Sequence, residues 1–327
     1  MKEKAPRLLA WRTVPPWHGR VGPPRLRVVL GHLAAGVLVS ALAAPWVFRL
    51  LVGLARRGLA PVSLRDLEFE SVAARCVLVG LVLVGLAGAW RARATALRAV
   101  GWGRAPVPLR QAGCGFLLGA CAMALLWLVG WAGGAFTWTL PGASAFGRWP
   151  LLLLGALIVG LVEETLFRGI LFGALRRSSG FWLAALLSSA AYSLVHFMNP
   201  EPLVGVAHAH WDSGLRLLGS LFHWPHAHYH YFPMMLTLLV LGLGLCRLFE
   251  AFGTLYAAMG LHAGVVFVMR AGEDFFARQV EGWPFWYGGL EGVPKSYAAL
   301  LMACAVCGLL WFGTAGAIRA RNEPDAR

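Results

Sequence analysis

Two adjacent glutamates and an arginine, Glu163, Glu164 and Arg168, lie in the stretch GLVEETLFRG, inside a long run of leucine, valine and isoleucine. A carboxylate in apolar surroundings is costly unless it is paired or protonated. Glu164 and Arg168 are spaced i, i+4 with the acid nearer the amino terminus, the favourable order for an ion pair on one helix. Glu163 points about 100° away around that helix, and the positions three and four residues from it hold no basic residue. The two acids therefore divide into a paired, supporting Glu164 and a Glu163 that faces a cavity and suits a general base.

Two histidines, His196 and His262, also fall deep within apolar segments. At the helical rise per residue, Glu163 lies roughly 20 Å from the inner end of its segment, His196 roughly 24 Å and His262 roughly 16 Å. Similar depths allow the three groups to meet. Ionisable residues at membrane depth are expensive and mark a functional site by default. The four aspartates, Asp66, Asp212, Asp274 and Asp325, all lie outside the apolar segments. Glu250 sits at the inner end of one segment and His32 near the start of another. This census disfavours a paired-aspartate mechanism, and the HExxH zinc signature is absent. Gly142-Ala143-Ser144 is followed by Ala145 and reads as a turn rather than a serine nucleophile motif.

The elements that must hold these groups follow from composition. The chain is 58% hydrophobic and 13% charged, about half the charged fraction of a soluble domain. That predicts an all-α polytopic membrane bundle. Eight apolar segments are expected at about 28–55, 74–91, 111–133, 150–175, 181–198, 231–251, 254–271 and 296–318. The expected division is a disordered basic tail over 1–26, three accessory helices over 27–147, the catalytic helical core over 148–271, and the last outer loop, helix and tail over 272–327. Ala41-Leu42-Ala43 resembles a signal cleavage site, but the apolar run continues past it and favours a retained helix.

The net charge of +14 resides mainly in tails and short loops, so it reports topology and not nucleic-acid binding. Arg91, Arg93, Arg98, Arg104 and Arg110, then Arg176 and Arg177, then Arg319 and Arg321 place both termini in the cytoplasm, with Arg56 and Arg57 as the exception. The excess of arginine over lysine argues for a GC-rich, bacterial source and hence the inner membrane. Six cysteines lie in or beside apolar runs and read as packing residues, the Cys304–Cys307 pair included. Gly115–Gly119 and Gly130–Gly134 have the GxxxG spacing that permits close helix contact.

Glu163-Glu164-x-x-x-Arg168, Tyr192-x-x-x-His196 and His262-x-x-x-Val266 resemble the three motifs of the CPBP family of intramembrane proteases, EExxxR, FxxxH and HxxxN. That family includes the CAAX prenyl endopeptidases and bacteriocin-processing or immunity-type (Abi) relatives. The resemblance spans residues 148 to 271. It implies that Glu163 and His196 activate a water, that Glu164 and Arg168 support them, and that His262 stabilises the oxyanion. Tyr192 keeps the aromatic of the second motif. Val266 replaces the asparagine of the third, and losing an oxyanion donor typically costs on the order of 100- to 1000-fold in rate.

The resemblance implies no obligatory cofactor, although two histidines and a glutamate are also a zinc donor set. The expected partners are the lipid bilayer and a membrane-anchored protein or peptide cleaved near its carboxyl-terminal anchor. The alternatives are a non-catalytic immunity or scaffold protein of the same fold, a buried network that only fixes packing, and a transporter. The absence of internal repeats disfavours the last. The loop 198–230 carries His208, His210, His223, His226, His228 and His230. Of these, His208, His210, His226 and His228 form a possible weak metal site. The interleaved Trp211, Trp224, Tyr229 and Tyr231 favour an interfacial segment, and a short amphipathic helix lying across the active-site mouth is a further expectation for this loop.

Overall fold

The computed structural model describes residues 26–59, 68–103, 105, 107–197, 210–220, 231–278, 286, 293 and 296–322. The helices are α1 (Leu26–Arg56), α2 (Phe69–Ala99), α3 (Pro108–Ala132), α4 (Ala143–Glu164), α5 (Gly173–Ser178), α6 (Phe181–Val195), α7 (Ser213–Ser220), α8 (Tyr231–Phe252), α9 (Tyr256–Gly272) and α10 (Tyr297–Asn322). A π-helical stretch, Thr165–Phe172, joins α4 to α5 without a break. Each of the eight expected apolar segments is helical. Among the described residues, Leu30–Arg56, Pro108–Ala132, Ala145–Ser178, Phe232–Phe252 and Tyr297–Gly316 are long and apolar enough to cross a membrane, and Phe181–Val195 is a shorter apolar helix.

The chain divides into two compact units. The larger comprises the described residues of Thr95–Leu194 and His228–Arg327, the smaller those of Arg25–Ala94 and Val195–Ala227. In the larger unit α9 lies between α3 and α4. A Cβ at Gly115 or Gly119 of α3 would strike the carbonyl oxygen of Ala257 or Leu261, and one at Gly260 or Gly264 of α9 would strike that of Ala112 or Phe116. Glycines on both partners thus allow the two backbones to touch, the packing that membrane helices use where hydrophobicity alone gives no driving force. Gly160 of α4 faces α9 in the same way, its would-be Cβ 2.9 Å from Met259 O. α6 is tied in by small polar residues: Ser188 Oγ donates to Phe167 O at 2.7 Å and Ser193 Oγ to Met235 O at 2.8 Å. The apolar faces left outside, with Leu117, Leu151, Trp182, Leu301 and Phe312 exposed, suit a lipid solvent rather than water.

Several boundaries differ from the expectation. α4 begins at Ala143, seven positions before the expected start, and carries Pro150 inside it. A proline removes one backbone donor, a loss that helix-rich membrane surroundings tolerate. Ser144 therefore lies in the first turn of α4 and not in a turn before it. α6 ends at Val195 instead of 198, ahead of Pro200, whose preceding residue is biased away from helical dihedrals. Gly134 is not on a helix face but in a left-handed turn after α3, with φ +79°. The two expected outer loops at 134–149 and 272–295 pair with each other through β1 (Phe136–Trp138) and β2 (Phe276–Arg278), an antiparallel ladder with Thr137 opposite Ala277. Asp274 reinforces this end of the unit: it forms an ion pair with Arg148 and accepts from Trp149 Nε1 at 3.0 Å.

In the smaller unit α7 packs on α1, with Gly214 against the backbone of Ala41. Leu217 joins Ala44, Phe48, Phe69, Val72 and Ala73 in its core. The histidine-rich loop thus contains a short helix, α7, which packs on α1.

Candidate active site

Glu163 and Glu164 occupy the last turn of α4, and Arg168 lies in the π-helical stretch that follows. The close approach at Gly160 brings α9 alongside this turn, and His262 sits between Gly260 and Gly264 on a face of α9 turned away from α3. Glu164 and Arg168 are fully buried, at 0% exposure. Arg168 Nη1 donates to Glu164 Oε1 at 3.0 Å, and His262 Nδ1 lies 2.8 Å from that same oxygen. With arginine donating to the carboxylate, the imidazole must present its Nδ1–H to it. This fixes the ring and directs Nε2 towards Glu163, whose Oε2 lies 3.7 Å away. Glu163 differs from its neighbour in access: its side chain retains 26% exposure.

Aromatic groups surround the cation. The Arg168 guanidinium carbon lies 4.3 Å from the ring centroid of Tyr192, a desolvated cation–π contact. The Tyr192 ring meets Phe167 and His262 edge-on, at centroid distances of 5.2 and 6.0 Å. Cys246, fully buried on α8, lies near enough to interact with Arg168, and its Sγ is 4.0 Å from Ser189 Oγ. Sequence pattern alone gave no reason to place this cysteine beside the cluster. Below it, Arg176 grips Glu250 through Nε and Nη2 at 3.2 and 3.3 Å, tying α5 to α8. Glu250 is thereby a structural acid.

The site residues expected from sequence are placed as follows. Glu163, Glu164, Arg168, Tyr192 and His262 are brought together in the larger unit. Val266, half-buried, lies one turn beyond His262 on α9. His196 falls in the turn just after α6, is exposed, and belongs to the smaller unit. His208, His226 and His228 lie outside the described residues, as do His223 and His230; His210 is exposed.

The arrangement offers a partly accessible carboxylate beside an oriented imidazole, held by a dry ion pair. As a metal site it is poorly suited. Glu164 Oε1 is engaged by a guanidinium, and both ring nitrogens of His262 face carboxylates. Among the described residues no group of three or more His, Cys, Asp or Glu could hold a metal ion.

Residues 145–268 match the family model described as type II CAAX prenyl endopeptidase Rce1-like. Over 48 residues the chain is 44% identical to a Bacillus subtilis protein named "Putative membrane peptidase YdiL". That match covers 14% of this chain and spans only 20% of the relative's length. No solved structure matches the chain. Together with its apolar helices, these matches make the chain an integral membrane protein of all-α architecture. Across residues 145–268, less than half of its length, the chain is similar in sequence to the type II CAAX prenyl endopeptidase Rce1-like family.

Proposed function

We propose that the chain is an intramembrane endopeptidase that cleaves a membrane-anchored protein or peptide near its carboxyl-terminal anchor. Glu163 takes a proton from water as that water attacks the scissile carbonyl, and returns it to the leaving amine. His262, carrying protons on both ring nitrogens, stabilises the oxyanion through Nε2–H, and Glu164 with Arg168 holds the ring in place through Nδ1–H. The resemblance to the protease motifs assigns His196 as the partner of Glu163 in activating water. The observation that carries this reading is the asymmetry of the acid pair. One glutamate is buried and spent on Arg168 and His262, while its neighbour keeps 26% exposure beside the same imidazole. A network serving packing alone has no use for the second acid.

The scheme needs no metal, and the engagement of His262 and Glu164 with each other supports that. The substrate class is a polypeptide with a short membrane anchor, either a carboxyl-terminal sorting segment or a lipidated terminus. A bacterial source favours the former. Val266 supports a second reading, a non-catalytic immunity or scaffold protein, because the third motif lacks its asparagine donor.

The test uses the purified chain in liposomes with an anchored peptide reporter. Glu163→Gln and His196→Ala should each lower the cleavage rate by at least about 100-fold, the scale of losing a general base. Chelators should leave the rate unchanged. Cleavage that persists in Glu163→Gln contradicts the assignment.

A further inference from the structure

The segment joining α2 to α3 lies outside the residues that match the family model, yet it grips the helix that carries the acids. Gly169, in the π-helical stretch, has room for no side chain, because a Cβ there would lie 2.5 Å from Val100 O. Gly101 adopts φ +91° and brings its backbone against Phe249, while Leu255 N–H donates to Gly101 O at 3.2 Å. Trp102 Nε1–H donates to Thr165 Oγ1 at 3.1 Å, and that hydroxyl donates onward to Leu161 O at 2.6 Å. The Trp102 ring stands edge-on to Tyr256 at 6.1 Å, and Tyr256 OH donates to Gly103 O at 3.2 Å.

Thr165 is the first residue of the π-helical stretch and directly follows Glu164. A threonine hydroxyl that bonds the carbonyl four residues back competes for it with a backbone N–H and bends the helix. A π turn lengthens the i→i−4 ladder to i→i−5, and such turns are frequent at functional sites. The Thr165 N–H still reaches Leu161 O, four residues back, together with Val162 O, whereas at the far end of the stretch Gly173 N–H reaches Arg168 O, five residues back, so the ladder lengthens after Thr165.

We propose that Trp102 is a positioning residue for the glutamate pair. Its indole N–H orients the Thr165 hydroxyl onto Leu161 O. This holds the α-to-π transition that aims Glu164 at Arg168 and His262 and leaves Glu163 accessible. The effect on cleavage rests on the protease reading above; the effect on the geometry of the acids does not.

The test therefore has two readouts. The first is labelling with the apolar reagent N,N′-dicyclohexylcarbodiimide in liposomes, located by mass spectrometry. The natural protein should label at Glu163 and spare the buried Glu164. Trp102→Phe, which keeps an aromatic ring but removes the donor, and Thr165→Val should each raise the share of label on Glu164 by roughly fivefold, the equivalent of one neutral hydrogen bond. Thr165→Ser, which keeps the hydroxyl, should restore the natural pattern. The second readout is cleavage: kcat should fall by about tenfold in Trp102→Phe with KM unchanged, as expected of a displaced catalytic group. Natural selectivity for Glu163 in both Trp102→Phe and Thr165→Val overturns the proposal, whatever the cleavage result. If Trp102→Phe does not fold, the Thr165→Val and Thr165→Ser pair decides it alone. Shifted labelling in a chain that cleaves nothing sustains the positioning role and removes the protease reading.

Discussion

Glu164→Gln should destabilise the protein far more than Glu163→Gln, although the two changes are chemically identical and one residue apart. Glu164 Oε1 accepts from both Arg168 and His262, and both members of the ion pair are at 0% exposure. Glutamine keeps an oxygen for one of those bonds but leaves the guanidinium buried without its counter-charge. Breaking a buried pair by removing one partner costs about 3–5 kcal/mol. The retained oxygen argues for the lower end, about 3 kcal/mol. A large domain loses about 2 °C of Tm per kcal/mol, so a fall of about 6 °C is expected. Glu163 keeps 26% exposure and meets His262 only at 3.7 Å. Its substitution should move Tm by no more than about 1 °C. Thermal unfolding in detergent measures both. The double variant Glu164→Gln, Arg168→Met supplies a second check, because removing a whole buried pair is often close to neutral. It should recover at least half of the loss. Equal shifts for the two glutamates, or a double variant at the sum of its singles, would refute the division of the acids into one structural and one partly accessible group.

Val266→Asn restores the side chain of the third motif one turn from His262 and should raise the cleavage rate by about tenfold or more, read in the liposome assay. Gly260→Val and Gly115→Val force side chains into the facing backbone of α3 and α9. Each should cost at least about 1–3 kcal/mol and lower the folded yield on size-exclusion chromatography. Gly113→Ala, with open space around it, should leave that yield unchanged. Asp274→Ala removes the acceptor shared by Arg148 and Trp149 at the β1–β2 end. It should destabilise by about 1–3 kcal/mol, whereas Arg148→Ala, at a side chain 57% exposed, should cost less than about 1 kcal/mol.

Much of this architecture was legible because its signals are local. Apolar run length located every long helix, and the i, i+4 spacing of Glu164 and Arg168 foretold their ion pair. Comparison of depths put Glu163, His196 and His262 at similar levels; Glu163 and His262 do meet, whereas His196 lies past the end of α6 in the other unit. What escaped depends on partners far apart in the chain. The Gly115–Gly119 spacing was visible on α3, but its complement, Gly260 and Gly264 on α9, emerged only when the two backbones were seen in contact. The pairing of Phe136–Trp138 with Phe276–Arg278 joins short segments more than a hundred residues apart, too brief to carry an alternating pattern. The π-helical stretch obeys the same apolar periodicity as an α-helix over so few residues, so nothing in the pattern sets it apart. Pro150 concealed the true start of α4, since a proline ordinarily signals a boundary and here sits within the helix.

The central claim is that Glu163 is the base of a peptide-bond hydrolysis at membrane depth. Its most direct test compares the termini of membrane proteins, by mass spectrometry, in cells carrying the natural protein and in cells carrying Glu163→Gln. New carboxyl termini close to a membrane anchor, present with glutamate and absent with glutamine at equal protein levels, are the expected result, and they would also identify the substrate. Identical termini in the two strains, with any cellular phenotype of the natural protein retained by the variant, would contradict it.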